Sequence, residues 1–364
     1  MTMNDRAIHA LAVSALAFGL VSTPASASIE VEGQQLPVVD MHLHSGTFGT
    51  MNPEGKAFIL GAVPPFLLGH APALLSASLD SYEEHAGLKA ETRFAGVDHA
   101  VVLAVYTPKT TGYYTNESLL EVLEDPRNEG WAWGLASINL EDVEDDPELL
   151  DARLDAMRSY LTERPELFIG IKLAHTHQAV MLDNEASFRI YELAGEVGVP
   201  VLLHTGFSPF PNTIGEPEYY DPGYLTDIVT LFDGNNGPRV DFVFSHVGQG
   251  DARAVEAALT LAESSDNVWL EVSALRGPLR IDENGEETDS KEPQYPYVLQ
   301  QILERDLVDR TIFASDGAQL SGFVKSYLGD IVDGMIDAGY SVDDMARVLA
   351  GNFYEAYDRA DPSR

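Results

Sequence analysis

Eight short apolar runs, each followed by a segment with helical spacing, constrain this chain more than any other feature. They are VVDMHLH (38–44), HAVVLAVY (99–106), AWGLASINL (132–140), FIGIKLAH (168–175), VPVLLHTG (199–206), VDFVFSHVG (240–248), VWLEVSAL (268–275) and TIFASDGA (311–318). Near-continuous apolar runs of this length fit strands buried on both faces, as parallel sheets require. The segments between them follow the other period. Leu150, Leu154, Met157 and Leu161 recur at four, three and four residues, behind a capping Asp146 and a first-turn Pro147. Ile190, Leu193, Ala194 and Val197 share one face, which stops at Gly198. Eight strands alternating with helices predict an α/β fold, a (β/α)8 TIM barrel.

Two βα connections are long, the first from Ser45 to about Glu91 and the seventh from Arg276 to about Gln294. Both emerge at the C-terminal face, where barrel active sites lie. Phe48, Phe58 and Phe66 in the first are expected to shape an apolar pocket. Residues 28–364 read as one barrel domain. Residues 1–27 read as a signal peptide: an apolar stretch from Ile8 to Val21 leads to Ala25-Ser26-Ala27, a small-residue cleavage site. The chain is therefore expected to be exported, periplasmic or secreted, after cleavage near Ala27. The apolar stretch is short for a membrane span, so no stable membrane anchor is expected. The net charge of −36 argues against nucleic acid or anionic lipid as partners and reads as solubility or salt adaptation. The expected partner is a small-molecule substrate; a homo-oligomer stays open.

The unusual residues sit late in the strands. His42 and His44 end the first run, Lys172 stands near the end of the fourth, His204 ends the fifth, His246 the sixth and Asp316 the eighth. A lone imidazole, ammonium or carboxylate buried there is costly without partners, and a divalent cation would satisfy all of them at once. The chain has no cysteine, so the ligands must be His and carboxylate. That favours Zn, with Mn or Fe as alternatives. There is no G-x-S-x-G elbow and no phosphate-binding G-x-x-x-x-G-K loop.

The ordered set DMHLH, GIKL, LLHTG, FSHVG and ASDG resembles the amidohydrolase superfamily of metal-dependent barrel hydrolases. Within it, NESLLEVLED, YYDP (219–222) and VLAGNFYEAY (348–357) are similar to elements of the amidohydrolase-related branch, which includes aminocarboxymuconate-semialdehyde decarboxylase. The resemblance implies that His42, His44, His204 and Asp316 hold the metal. His246 is then either an acid/base group or a ligand of a second ion. Lys172 matches a lysine that, when carboxylated, bridges two ions in phosphotriesterase-like members, so one or two ions are expected. The implied reaction is hydrolysis of an amide, ester or lactone carbonyl, with Asp316 as the base that takes a proton from water. The alternative is a lyase that decarboxylates an aromatic or enoic acid, and the third reading is a non-catalytic binding protein. Arg276, Arg280 and His175 are candidate substrate contacts. Strict alternation from Lys172 turns both His175 and His177 away from the site. Asp40, two residues before His42, is expected to face the same way one layer deeper and to support the ligands.

Overall fold

A computed structural model describes residues 28–46, 51–61, 86–143, 146–235, 237–317 and 321–361. Residues 1–27, Phe48 and Phe66 lie outside the described residues. The eight apolar runs form β1 (Val39–His44), β2 (His99–Leu103), β3 (Ala132–Ala136), β4 (Phe168–Leu173), β5 (Val201–Gly206), β6 (Phe242–Gln249), β7 (Val268–Glu271) and β8 (Thr311–Ile312). All pair in parallel, in chain order, in one eight-stranded sheet. A bridge between Leu43 and Gly317, with the His44 N–H donating to the Gly317 carbonyl at 2.6 Å, brings β1 against the chain after β8. The sheet is thereby nearly closed into a TIM barrel. Among the described residues no helix is long and apolar enough to cross a membrane.

Alternation along the strands divides the core in two. Val39, Met41, Val101, Leu103, Leu135, Ile169, Leu202, Val243, Trp269 and Ile312 form an inner cluster that fills the barrel. Their neighbours, among them Val102, Ile171, Val201, Leu203, Phe244 and Leu270, pack outward with the helices. Phe353 and Tyr357 join the inner cluster from the C-terminal helical segment, floor the barrel and stack on each other. The surrounding helices stop and start where their chemistry dictates. The helix Pro147–Glu163 is capped by Asp146, which accepts from the Leu149 N–H at 3.0 Å. The helix Glu185–Val197 ends at Gly198, whose φ of 66° is cheap only for glycine.

Two features were not expected. The second connection carries a small antiparallel hairpin, Val105–Thr107 with Gly112–Tyr114, at the C-terminal mouth. Irregularities in strand pairing also break strict alternation. In β1 the register shifts between Asp40 and Leu43, so Met41 joins the inner cluster and His42 also faces the interior. Asp40 therefore does not lie one layer beneath His42, as alternation predicts.

The closing segment VLAGNFYEAY works through Asn352. Its buried side-chain amide donates to the carbonyls of Val308 and Thr311, both at 2.7 Å, and so fixes the start of β8. Asn352→Ala strands both carbonyls and should cost about 2–5 kcal/mol, read as a lowered midpoint of urea unfolding. An unchanged midpoint would remove this residue from the account of how β8 is held.

Candidate metal centre and active site

The C-terminal mouth of the barrel gathers the strand-end residues by two different routes. In β5 and β7 simple alternation suffices. Leu202 and Trp269 face inward, and so do His204 and Glu271 two residues on; in β4 alternation holds only after the register shift near Ile169, with Ile171 and Leu173 outward and Lys172 inward. In β6 alternation gives the inward place to Ser245, and His246 would face away. Instead His246, Val247 and Gly248 all take left-handed backbone, with φ of 67°, 47° and 71°, and the pairing with β5 shifts register there. This turn swings the His246 ring back to the mouth. Left-handed backbone costs a β-branched residue such as Val247 most, so local strain is stored at the site. Gly248 tolerates no side chain: a Cβ would lie 2.4 Å from the Ala254 carbonyl carbon.

Three donor atoms from opposite ends of the chain form a compact triangle. His42 Nε2 and His44 Nε2 are 3.2 Å apart, and Asp316 Oδ1 lies 3.3 Å from the first and 3.1 Å from the second. An ion with tetrahedral ligands at about 2.0–2.1 Å has donor atoms about 3.3–3.4 Å apart, so the triangle fits one. Beside it, His246 Nε2 is 3.2 Å from His204 Nδ1, and the His42 and His246 ring centroids are 5.2 Å apart. His204 Nε2 is buried with no hydrogen-bond partner, and His204 stands beside the triangle rather than in it: the donor atoms close enough to share one ion are those of His42, His44 and Asp316. Donor set and spacing suit a divalent cation.

Glu271 was missed in the sequence, where it hides inside an apolar run. It is fully buried, and its carboxylate lies 2.9 Å from His42 Nδ1. Burial pushes the Glu271 carboxyl well above its ordinary range, against the Ser273 hydrogen bond and the Lys172 charge; in its charged form it accepts from Nδ1 and leaves the Nε2 lone pair for the triangle. The inward period of β7, set by Trp269, was the signal that could have found it.

Electrostatics keep the donors in ligating form. Burial, then the Lys172 charge, holds His42 well below the usual imidazole range. Burial and the neighbouring His246 do the same for His204, and burial pushes His246 down to about 3. Burial raises the Asp316 carboxyl, but the His44 hydrogen bond and the charges around it more than offset this and leave it below its ordinary value. Burial pushes the Lys172 amine down to about 8, against the pull of Glu271 and Asp316; its Nζ donates to Ser245 Oγ at 3.3 Å. Asp40 accepts from Ser315 N at 3.0 Å, Ser315 Oγ at 2.6 Å and His42 N at 3.3 Å. It holds the backbone of two ligand-bearing segments rather than a ligand ring.

These groups line one side of a cavity of about 360 Å³. The rest of its wall is largely aromatic and apolar: Tyr106, Tyr113 and Tyr114 of the hairpin, Phe210 and Met51. Phe58 does not line the cavity; its partly exposed ring packs, tilted, against Phe210 at 4.6 Å between centroids. The three expected substrate contacts are corrected. Arg276 pairs with Asp330 at 2.6 Å and lies over Phe323 and Tyr327, and Arg280 lies over Phe207; neither lines the cavity. His175 is buried against Ser187 and Tyr191, behind the wall. Alternation fails here because the strand ends at Leu173 and His175–Gln178 forms a single helical turn, which returns His177 to the cavity.

A parallel barrel with His and Asp donors at its C-terminal mouth defines a class of metal-dependent enzymes. Residues 85–359 match the family model described as Amidohydrolase, and the chain belongs to the amidohydrolase superfamily, in its amidohydrolase-related branch. The match begins after β1, so it does not include His42 and His44. The sequence matches no curated relative. Similar solved structures share the fold at low identity. One is an uncharacterised TIM-barrel protein from Bordetella bronchiseptica: 16% identity, 89% of this chain and 99% of that one covered, TM-score 0.59. Another is a dihydroxybenzoic acid decarboxylase from Polaromonas sp. JS666 with bound manganese: 14% identity, 90% and 98% covered, TM-score 0.55. A third is a probable 2-pyrone-4,6-dicarboxylic acid hydrolase from Acinetobacter baumannii: 14% identity, 89% and 100% covered, TM-score 0.51.

The role given to Glu271 predicts that Glu271→Gln weakens metal affinity by about 10–100-fold with the circular dichroism spectrum unchanged. Competition with a chromophoric chelator measures this. Wild-type affinity in the variant would separate Glu271 from the site.

Proposed function

We propose that this chain is a metal-dependent hydrolase acting on a carbonyl-type bond of a small, largely apolar substrate. The observation that carries the reading is the His42–His44–Asp316 triangle in the wall of an open, largely apolar cavity, with its carboxylate held ionised. His42, His44 and Asp316 would hold one ion, with zinc the first candidate by donor type and manganese or iron the alternatives. A divalent cation bound there supplies Lewis acidity, which makes water more acidic and a carbonyl oxygen more electrophilic.

The protein's own groups do the rest. Asp316 accepts the proton of the attacking water and passes it to the leaving group. His246, fixed by Ser273 Oγ at 2.7 Å, stands beside His204 where charge develops on the substrate oxygen. A second ion, with His246 as one of its ligands, is the alternative if Lys172 is carboxylated on its amine. The second reading is decarboxylation of an aromatic acid, favoured by the tyrosine-lined wall. Export rests on residues 1–27 alone, and amino-terminal sequencing of the protein from culture medium or periplasm checks it.

Metal analysis of purified protein should find about one equivalent of a divalent transition metal, lost in His42→Ala; a metal-free wild type that takes up none would end the proposal. A panel of lactones, esters, amides and aromatic acids assayed in ¹⁸O-labelled water tests the reaction. Label in the product carboxylate is the expected result; carbon dioxide release without label would replace hydrolysis by the lyase reading. With any substrate so found, Asp316→Asn should lower kcat by about 10²–10⁴-fold. A variant with wild-type turnover would mean that another group is the base.

A further inference from the structure

Five histidines line the cavity among the described residues, and the donor cluster accounts for four of them. The fifth, His177, has a fixed position and one uncommitted nitrogen. Its ring stands edge-on to His204, at 5.1 Å between centroids, and 5.9 Å from Phe210. Its Nδ1 lies 2.9 Å from Thr110 Oγ1, at the turn of the hairpin. Among the described residues its Nε2 has no hydrogen-bond partner. Three connections meet around this ring and are stapled to one another. The Ile214 N–H donates to the Thr176 carbonyl at 2.9 Å, and the Asn212 amide donates to the Lys109 carbonyl at 3.2 Å. The imidazole is thus held in place before any ligand arrives.

The hydrogen bonds also set its tautomer. Thr110 has one hydroxyl proton and two acceptors in reach. The Thr107 carbonyl, 3.4 Å away, already takes the Thr110 N–H at 3.0 Å. Nδ1 at 2.9 Å is the better-placed acceptor, since hydrogen bonds weaken toward 3.5 Å. The hydroxyl proton therefore goes to Nδ1, and the ring's own proton stays on Nε2.

We propose that His177 is a substrate-binding residue whose Nε2–H, set by Thr110, donates to an anionic oxygen of the substrate from the wall shared with Lys172. The inference rests on the reading of this cavity as the substrate site. Lys172 is the only lysine or arginine among the described lining residues. The site therefore suits a compact planar molecule carrying one carboxylate, with its ring against Phe210 and the hairpin tyrosines.

Benzoate is the probe, titrated calorimetrically into the metal-loaded full-length protein. His177→Phe should weaken benzoate binding by about 10–100-fold, the loss expected for one hydrogen bond to a charged group. His177→Gln, which keeps an amide donor, should recover most of it. Metal content should be unchanged in both. Long-range ¹H–¹⁵N spectra of the histidine side chains should show His177 protonated on Nε2 in the wild type. In Thr110→Val, which cannot donate, that preference should be lost and benzoate binding weakened. Unchanged benzoate affinity in His177→Phe, an Nδ1–H tautomer in the wild type, or no benzoate binding by metal-loaded wild type would each overturn the inference. So would loss of metal from His177→Phe, which would make His177 a ligand. Failure of the wild type to hold metal would instead overturn the proposed function.

Discussion

Everything at the mouth depends on closing the barrel between its first and last strands. β1 carries two of the triangle's donors, and the chain after β8 carries the third. Nothing local brings them together. The contacts that do are the His44 N–H to the Gly317 carbonyl and the Asp40 carboxylate on Ser315. Asp40 is fully buried, and burial pushes its carboxyl up to about 7, against three hydrogen bonds that favour the charged form. A buried carboxylate is tolerated only when its acceptor capacity is used, and here it is used to tie the two ends of the sheet at the level of the ligands. The eight strands provide the ring, and this contact joins its ends.

Closure also explains where strain sits. His246, Ala274 and Asp316 all have left-handed backbone, with φ of 67°, 56° and 58°, at the C-terminal ends of the sixth, seventh and eighth runs. A regular strand would point successive residues to opposite faces and carry its late side chains past the mouth. Turning the chain sharply at its end aims His246 and Asp316 back over the barrel. Each such position costs of order 1–3 kcal/mol, and the packed inner and outer cores hold it there. Lys172 and Ser245 meet beside the donors, and the same burial that makes these groups costly keeps His42, His204 and His246 neutral and able to bind a cation.

The fold was legible because its signal is global: eight apolar runs at barrel spacing survive small errors in any one of them. The residues the structure gathers at the mouth were legible where the strand period holds, as at Lys172 and His204. The sequence reading failed where the backbone leaves that period. The β1 irregularity changed what Asp40 does. The helical turn after β4 exchanged His175 for His177. The hairpin after β2 added tyrosines to the wall that the sequence reading had not foreseen. Arg276 and Arg280 looked available in a polar loop, but a nearby carboxylate and aromatic faces claim them. Glu271 was the opposite case, a period-compatible carboxylate overlooked inside an apolar run.

The central claim is that His42, His44 and Asp316 form one cation site across the barrel closure. Crystals of the protein soaked in zinc or manganese, with diffraction recorded on both sides of the metal absorption edge, test it most directly. The account predicts one strong anomalous peak about 2.0–2.2 Å from His42 Nε2, His44 Nε2 and Asp316 Oδ1. A peak elsewhere in the barrel, or no peak between these atoms at saturating metal, would contradict it.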